Sequence, residues 1–93
     1  MKLKIIEYFW AVGRRTRRTG TRRIPLEESK AANIDRMQFK IEKIEGDRIT
    51  VSVNRLDGTL IRTLSFDKRN GCYYRPMSMD GGHEYVLKAV RFF

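Results

Sequence analysis

Six arginines between positions 14 and 23 are the residues of this chain best suited to chemistry with another molecule. The segment 13–23 reads GRRTRRTGTRR, and no Asp or Glu lies within it. A guanidinium is a planar fork that matches the oxygens of a phosphate and stacks on bases, whereas an ammonium is a hydrated point charge. Because like charges this close repel one another within a Debye length of ~8 Å, the run predicts an anionic partner.

The positive charge is concentrated at the start of the chain. The net charge is +9 over 93 residues. Residues 1–23 hold eight basic residues and one acid, a net charge of +7, whereas residues 24–93 hold twelve basic and ten acidic residues, a net charge of +2. This asymmetry predicts an anion-binding segment attached to a nearly neutral body.

Nucleic acid is the partner that this chemistry favours. If all six arginines contacted the phosphates of a duplex, the logarithm of the affinity would fall with that of the salt concentration with a slope of about −5. RNA or a single strand fits arginines mixed with aromatic residues better than duplex DNA does, since no recognition helix is evident. The expected function is therefore that of a small nucleic-acid-binding module.

Aromatic residues near basic ones extend the candidate site. Trp10 comes just before the arginines, where it either stacks on a base or packs against the core. Tyr73 and Tyr74 precede Arg75, and one of the two rings is expected to be exposed because neighbouring residues of a strand point to opposite faces. The predicted nucleic-acid-binding residues are Arg14, Arg15, Arg17, Arg18, Arg22, Arg23, Trp10, Tyr73 and Arg75.

Three alternatives remain open from the sequence. The arginine run fits a solvated loop with no partner, and it also fits an acidic protein surface, because arginine is frequent at protein interfaces. In that second case the chain is an inhibitor or adaptor of a nucleic-acid enzyme, for example a phage anti-defence protein. In the third, it is a metal-independent endoribonuclease acting through Tyr73, Arg75 and Glu84, although nothing in their spacing places them together. We expect the chain not to be an enzyme.

The remaining reactive residues predict no cofactor and no metal site. Cys72 is the only cysteine, which excludes an intramolecular disulfide and a cysteine-based zinc site. His83, the only histidine, lies beside a glycine-rich turn and is expected to be an ordinary surface residue. No stretch reaches the length of a membrane span, and we expect a cytoplasmic protein.

The first twelve residues predict a strand. The segment 2–12 is rich in β-branched and aromatic residues, which favour strands. Apolar residues at the even positions from 6 to 12 form one face, and Leu3, Ile5 and Phe9 make the other face partly apolar. The strand is therefore expected to be buried on both faces or to carry a bulge, and the helical spacing of some apolar residues keeps a helix open.

The next segment is predicted to connect two strands without being one. Residues 13–23 read as a mobile basic loop, bracketed by Gly13 and Gly20 and punctuated by threonines. Pro25, followed by Glu27 and Glu28, is compatible with a short helix within residues 24–34, because proline and acids suit the first turn.

From residue 37 onward, apolar and polar residues alternate as they do in half-buried strands. Ile49, Val51 and Val53 show the pattern most clearly, and Gly46 and Gly58 mark tight turns within Glu45-Gly46-Asp47 and Asp57-Gly58. The other strands are predicted at 37–42, 59–66, 72–79 and 83–92, with further turns at 70–71 and 80–82.

These elements predict one mainly β domain over residues 1–93. About six short antiparallel strands with evenly spaced turns are typical of a sandwich or a small barrel. We expect a half-open barrel, SH3-like or OB-like, with the arginine loop between its first two strands.

Overall fold

Antiparallel pairing organises the part of the chain that the structure describes. The computed structural model describes residues 1–11, 14–34, 36–68, 73–74 and 83–90. These residues form eight strands: β1 (Lys2–Ala11), β2 (Arg14–Pro25), β3 (Ala31–Ile34), β4 (Met37–Glu45), β5 (Arg48–Arg55), β6 (Leu60–Asp67), β7 (Tyr73–Tyr74) and β8 (His83–Val90). Sheet 1 has the strand order β2–β1–β8–β7, and sheet 2 has the order β3–β4–β5–β6.

The two sheets bury one apolar cluster between them. Sheet 1 contributes alternate residues of β1 and β8, and sheet 2 contributes alternate residues of β4, β5 and β6, as period-two patterning requires. The rings of Phe39 and Tyr85 meet across the sheets, with centroids 5.4 Å apart and planes tilted by 51°. The buried cluster comprises Leu3, Ile5, Ile24, Ile34, Phe39, Ile41, Ile49, Val51, Val53, Leu64, Phe66, Tyr85, Leu87 and Ala89.

The alternating segments form strands as predicted. β4, β5 and β6 form a meander, and Gly46 and Gly58 occupy the turns between them with φ of 58° and 95°. These left-handed values favour glycine, because a Cβ would be strained there. The segment at 2–11 is a strand and not a helix.

The prediction of a mobile loop at 13–23 is wrong for the described residues 14–23. They belong to the twelve-residue strand β2, which pairs with β1 from Lys2–Pro25 to Ala11–Arg14. Alternation sends neighbouring arginines to opposite faces of the strand, so the repulsion that argued for a loop is weaker than the spacing suggests. The backbone groups of β1 also provide hydrogen-bond partners for β2 along the full length of the strand. Two register shifts, which leave Thr19 and Thr16 without a partner in the ladder, absorb the extra residues as bulges.

The short helix considered within residues 24–34 does not form. Residues 26–29 are a bend and a turn, in which Ser29 has a φ of 71°. The chain then joins β4, since the amide of Ser29 donates to the carbonyl of Ile41 at 2.8 Å and the amide of Ile41 donates to the carbonyl of Lys30 at 2.9 Å. A segment with so few apolar residues gains more from these ladder bonds than from an unpacked helix.

The fold class is therefore mainly β, with two antiparallel sheets and no helix among the described residues. Strands β2 and β3 are additions to the six predicted ones. Over the described ranges no ladder joins the two sheets, so the barrel is not closed. The predicted turns at 70–71 and 80–82 and most of the predicted strand at 72–79 lie outside those ranges.

Candidate nucleic-acid interface

Strand β1 lies in the middle of sheet 1 and separates two faces of different character. Leu3 and Ile5 are fully buried and face the core. The even-numbered residues of β1 point to the opposite face, which we call the outer face. Ile6 on this face is also buried, and it pairs with Val86 of β8, which is buried too. The sequence prediction of a strand buried on both faces is confirmed at this point of β1.

Three cations lie side by side on the outer face. Lys4 pairs with Arg23 of β2 on one side and with Lys88 of β8 on the other. Residues directly opposite in antiparallel strands have Cβ atoms about 4.5–5.5 Å apart, and like charges in such pairs are destabilising. Arg23 and Lys88 are exposed and Lys4 is half-buried. The register therefore builds a row of positive charge across three strands, from residues that are up to 84 positions apart in the chain.

The electrostatic state of Lys4 reflects this row. The pKa of Lys4 is lowered from its ordinary value of 10.5. Burial is the largest cause, followed by the positive charges of Arg18, Arg23 and Lys88. Each of these effects disfavours the charged ammonium. An anion bound at this face would act in the opposite direction and stabilise it.

Arg18 is the fourth cation of this group. Its backbone pairs with Tyr8, which is four residues along β1 from Lys4. Its guanidinium reaches forward along β2, where Nε and Nη2 donate to Oγ1 of Thr21 at 2.9 and 2.6 Å. Its charge acts on Lys4, so we group Lys4, Arg18, Arg23 and Lys88 as the basic cluster.

The other predicted arginines do not all lie on the same face as the basic cluster. Arg22 pairs with Ile5, so it belongs to the opposite face, and it is exposed with Nη1 donating to the carbonyl of Thr21 at 3.1 Å. Arg14 is exposed and pairs with Ala11. Strand alternation thus divides the arginine run between two faces.

For the rest of the predicted site the structure gives backbone positions at most. Arg15 pairs with Trp10, and Arg17 pairs with Phe9, at the end of the ladder far from Lys4. The backbone of Tyr73 pairs with Lys88, so it lies beside the row on β7. Arg75 lies outside the described residues.

Sequence reasoning missed Lys4 and Lys88 as site residues. Lys88 stands between Leu87 and Ala89, which are buried, and that alternation signals that it points away from the core. What the sequence does not reveal is that Lys4 lies opposite it, because pairing between the first and last strands is not encoded locally.

Sheet 2 carries its charges differently. Arg48 of β5 pairs with Glu45 of β4 and with Asp67 of β6, so acid, base and acid alternate across three strands. Glu45 also forms an ion pair with Lys43, whose hydrogen bond and charge hold the pKa of Glu45 below its ordinary value. A shallow, open concavity lies at this end of the sheet, and Asp47 and Phe66 are part of its lining.

Of the three residues of the ribonuclease alternative, Tyr73 and Glu84 are not neighbours, and Arg75 lies outside the described ranges. The side chain of Glu84 is buried, with 5% exposure. Tyr73 pairs with Lys88, four positions along β8 from Glu84, which is about 13 Å at 3.3 Å per residue. Within the described ranges, no group of three or more His, Cys, Asp or Glu side chains is placed to hold a metal ion.

Comparison with protein families, curated proteins and solved structures finds no match to this chain. None of the described segments is a helix with the length and apolarity needed to cross a membrane.

Proposed function

We propose that this protein binds nucleic acid, and that the basic cluster on the outer face of sheet 1 contacts the phosphate backbone. The observation that carries the proposal is the position of Lys4 between two cations in register, Arg23 and Lys88. Such a row lowers the stability of the free protein, and a polyanion laid across it would remove that penalty.

The shape of the site favours a chain of phosphates over a small anion. The cluster lies on an exposed sheet face, and strands about 4.8 Å apart spread its row over about 10 Å. A single isolated anion would meet only part of this row. A phosphodiester backbone crossing the strands would meet each cation in turn, and it would gain from the release of counterions at each contact.

A single strand, RNA or DNA, fits this face better than a duplex does. Reading the major groove requires a helix or a two-stranded ribbon that projects from the body, whereas the cluster lies flat on a four-stranded sheet. Aromatic residues stand next to it in the strand register, since half-buried Tyr8 pairs with Arg18 and the backbone of Tyr73 pairs with Lys88. The arginines on the other face of β2 and at its start, with Trp10 and Arg75, remain proposed secondary contacts.

A salt titration with matched variants tests the proposal. Binding of a fluorescent oligouridine of about 12 nucleotides, within the site sizes of single-strand binders, is measured by anisotropy at several salt concentrations. The double variant Lys4→Gln/Lys88→Gln should weaken binding and reduce the slope of log affinity against log salt by about 1.4, since each phosphate contact of a single strand contributes about 0.7.

The control variant is Lys30→Gln/Lys40→Gln, which removes the same charge from sheet 2 and the segment that leads into it. It should bind with the wild-type slope. Equal losses in the two variants would mean that only net charge matters, and no salt-dependent binding by the wild type would end the proposal. An oligodeoxythymidine and a duplex of equal length, measured alongside, show which nucleic acid is preferred.

Binding to an acidic protein is the second candidate, because arginines also suit that partner. It would take the place of nucleic acid if the oligonucleotides fail to bind while a stoichiometric protein partner survives nuclease treatment. The finer architecture of a half-open barrel, SH3-like or OB-like, stays a prediction for the two sheets.

A further inference from the structure

Arg18 differs from the other cations of the basic cluster because a neighbouring side chain holds its guanidinium. Nε and Nη2 of Arg18 both donate to Oγ1 of Thr21, at 2.9 and 2.6 Å. The two residues are three positions apart on β2, on either side of the bulge at Thr19. A bulge re-aims side chains within a strand, and here it accompanies an arginine that reaches forward along β2 towards Lys4.

This contact fixes which part of the guanidinium remains available. An arginine side chain has five N–H donors. The bonds to Thr21 use the N–H of Nε and one N–H of Nη2, on the side edge of the fork. One N–H of Nη1 and the second N–H of Nη2 form the end edge, which is a pair of parallel donors suited to two phosphate oxygens.

We propose that Thr21 is a positioning residue that presents the end edge of Arg18 to one phosphodiester group of the bound strand. This inference rests on the proposed function and assigns the geometry of one contact within it. A long side chain that is ordered before binding loses less conformational freedom on binding, so its pre-ordering strengthens the affinity about three- to ten-fold.

The fold itself does not require the hydroxyl of Thr21. Thr21 is half-buried and pairs with Ile6 on the outer face. Valine has nearly the same shape and a strong preference for strands. The variant Thr21→Val therefore removes the acceptor for Arg18 while it keeps the strand and every charge.

The test is a double-mutant cycle on oligouridine binding with the variants Thr21→Val, Arg18→Lys and their combination. Each single variant should weaken binding about three- to ten-fold, the factor that corresponds to the ordering of one side chain. Arg18→Lys keeps the charge but loses the fork, so both single variants should keep the wild-type salt slope. The combination should be little weaker than Arg18→Lys alone, because the hydroxyl acts through the guanidinium.

Thr21→Ser is the control that retains the hydroxyl, and it should bind like the wild type. Circular dichroism and thermal unfolding check that each variant folds. Wild-type affinity in Thr21→Val, or additive losses in the double variant, would overturn the role of Thr21. That result is distinct from failure of the proposed function, in which the wild type does not bind or Lys4→Gln/Lys88→Gln binds with an unchanged salt slope.

Discussion

Each sheet carries a row of charged residues that crosses three strands, and the two rows differ in the order of their charges. In sheet 2, Arg48 lies between Glu45 and Asp67, so it faces an opposite charge on both sides. In sheet 1, Lys4 lies between Arg23 and Lys88, so it faces a like charge on both sides. Both rows cross three strands at adjacent positions of antiparallel ladders.

The contrast shows that the position of the positive charges in this protein matters as well as their number. Cross-strand pairs contribute roughly 0.2–1 kcal/mol each, with the sign set by the charges. The row in sheet 2 is therefore stabilising on its own, whereas the row in sheet 1 favours folding only when an anion lies over it. This contrast supports the proposal that the outer face of sheet 1 binds an anionic partner.

The largest effect is expected when the row in sheet 1 is given the charge order of the row in sheet 2. Lys4→Glu places a carboxylate between Arg23 and Lys88 and replaces two repulsive pairs by two attractive ones. We expect binding of the oligouridine to weaken at least tenfold, because a phosphate contact is replaced by repulsion at the centre of the cluster. Fluorescence anisotropy measures the affinity at a fixed salt concentration.

The same substitution should stabilise the free protein by about 1–2 kcal/mol, from the two reversed cross-strand pairs. Urea unfolding without nucleic acid measures this change. If Lys4→Glu weakened binding and also lowered the free energy of unfolding, the fold would be damaged. That result would contradict the proposed role of the row in sheet 1.

The mirror-image change should affect stability but not binding at the basic cluster. Asp67→Lys converts one attractive pair with Arg48 into a repulsive one, which should destabilise the protein by about 1 kcal/mol. Urea unfolding measures the loss, with Asp67→Asn as the neutral control expected to lie between this variant and the wild type. A stability equal to that of the wild type would show that the cross-strand charges do not matter at these positions.

Added salt should change the stability of the wild type and the Lys4→Glu variant in opposite directions. Salt screens exposed charges, with a Debye length of ~30 Å at 0.01 M and ~8 Å at 0.15 M. The melting temperature of the wild type should rise with sodium chloride as the repulsion around Lys4 is screened. That of Lys4→Glu should rise less or fall. Parallel curves for the two proteins would contradict the assignment of repulsion to this row.

The smallest effect is expected from pH. The folded state holds the pKa of Lys4 below its ordinary value of 10.5, through burial first and then through the neighbouring cations. Between the folded and unfolded pKa values, the unfolded chain binds more protons than the folded protein does, so stability rises with pH in that window. Below this window Lys4 is protonated in both states, and its charge destabilises the folded protein to the full extent.

The measurement is the difference in melting temperature between the wild type and Lys4→Gln, followed as the pH rises from neutral towards 10.5. Over this range, the melting temperature of the wild type should rise relative to that of the variant. A constant difference would show that Lys4 titrates alike in the folded and unfolded states.

The sequence predicted the meander of β4, β5 and β6 because its signals are local. Ile49, Val51 and Val53 alternate with polar residues, and Gly46 and Gly58 mark turns that require positive φ. Each of these features lies within a few residues of the structure it specifies.

The candidate site could be predicted only in part, because its geometry depends on pairing between distant strands. Arg18 and Arg23 were identified from the charge run, but their common face became visible only once β2 was a strand paired with β1. Because so many like charges lie close together in this segment, its sequence predicted a loop and not a strand. Lys88 joined the site through the pairing of β1 with β8, which no short-range pattern specifies.

A nuclear magnetic resonance titration would show which residues of the protein contact the oligonucleotide. The isotope-labelled protein is titrated with unlabelled oligouridine, and the backbone amide shifts are followed. The account predicts saturable shifts at Lys4, Arg18, Arg23 and Lys88, with Lys30 and Lys40 unmoved. Saturable shifts confined to sheet 2, or none at the basic cluster while the oligonucleotide is bound, would contradict it.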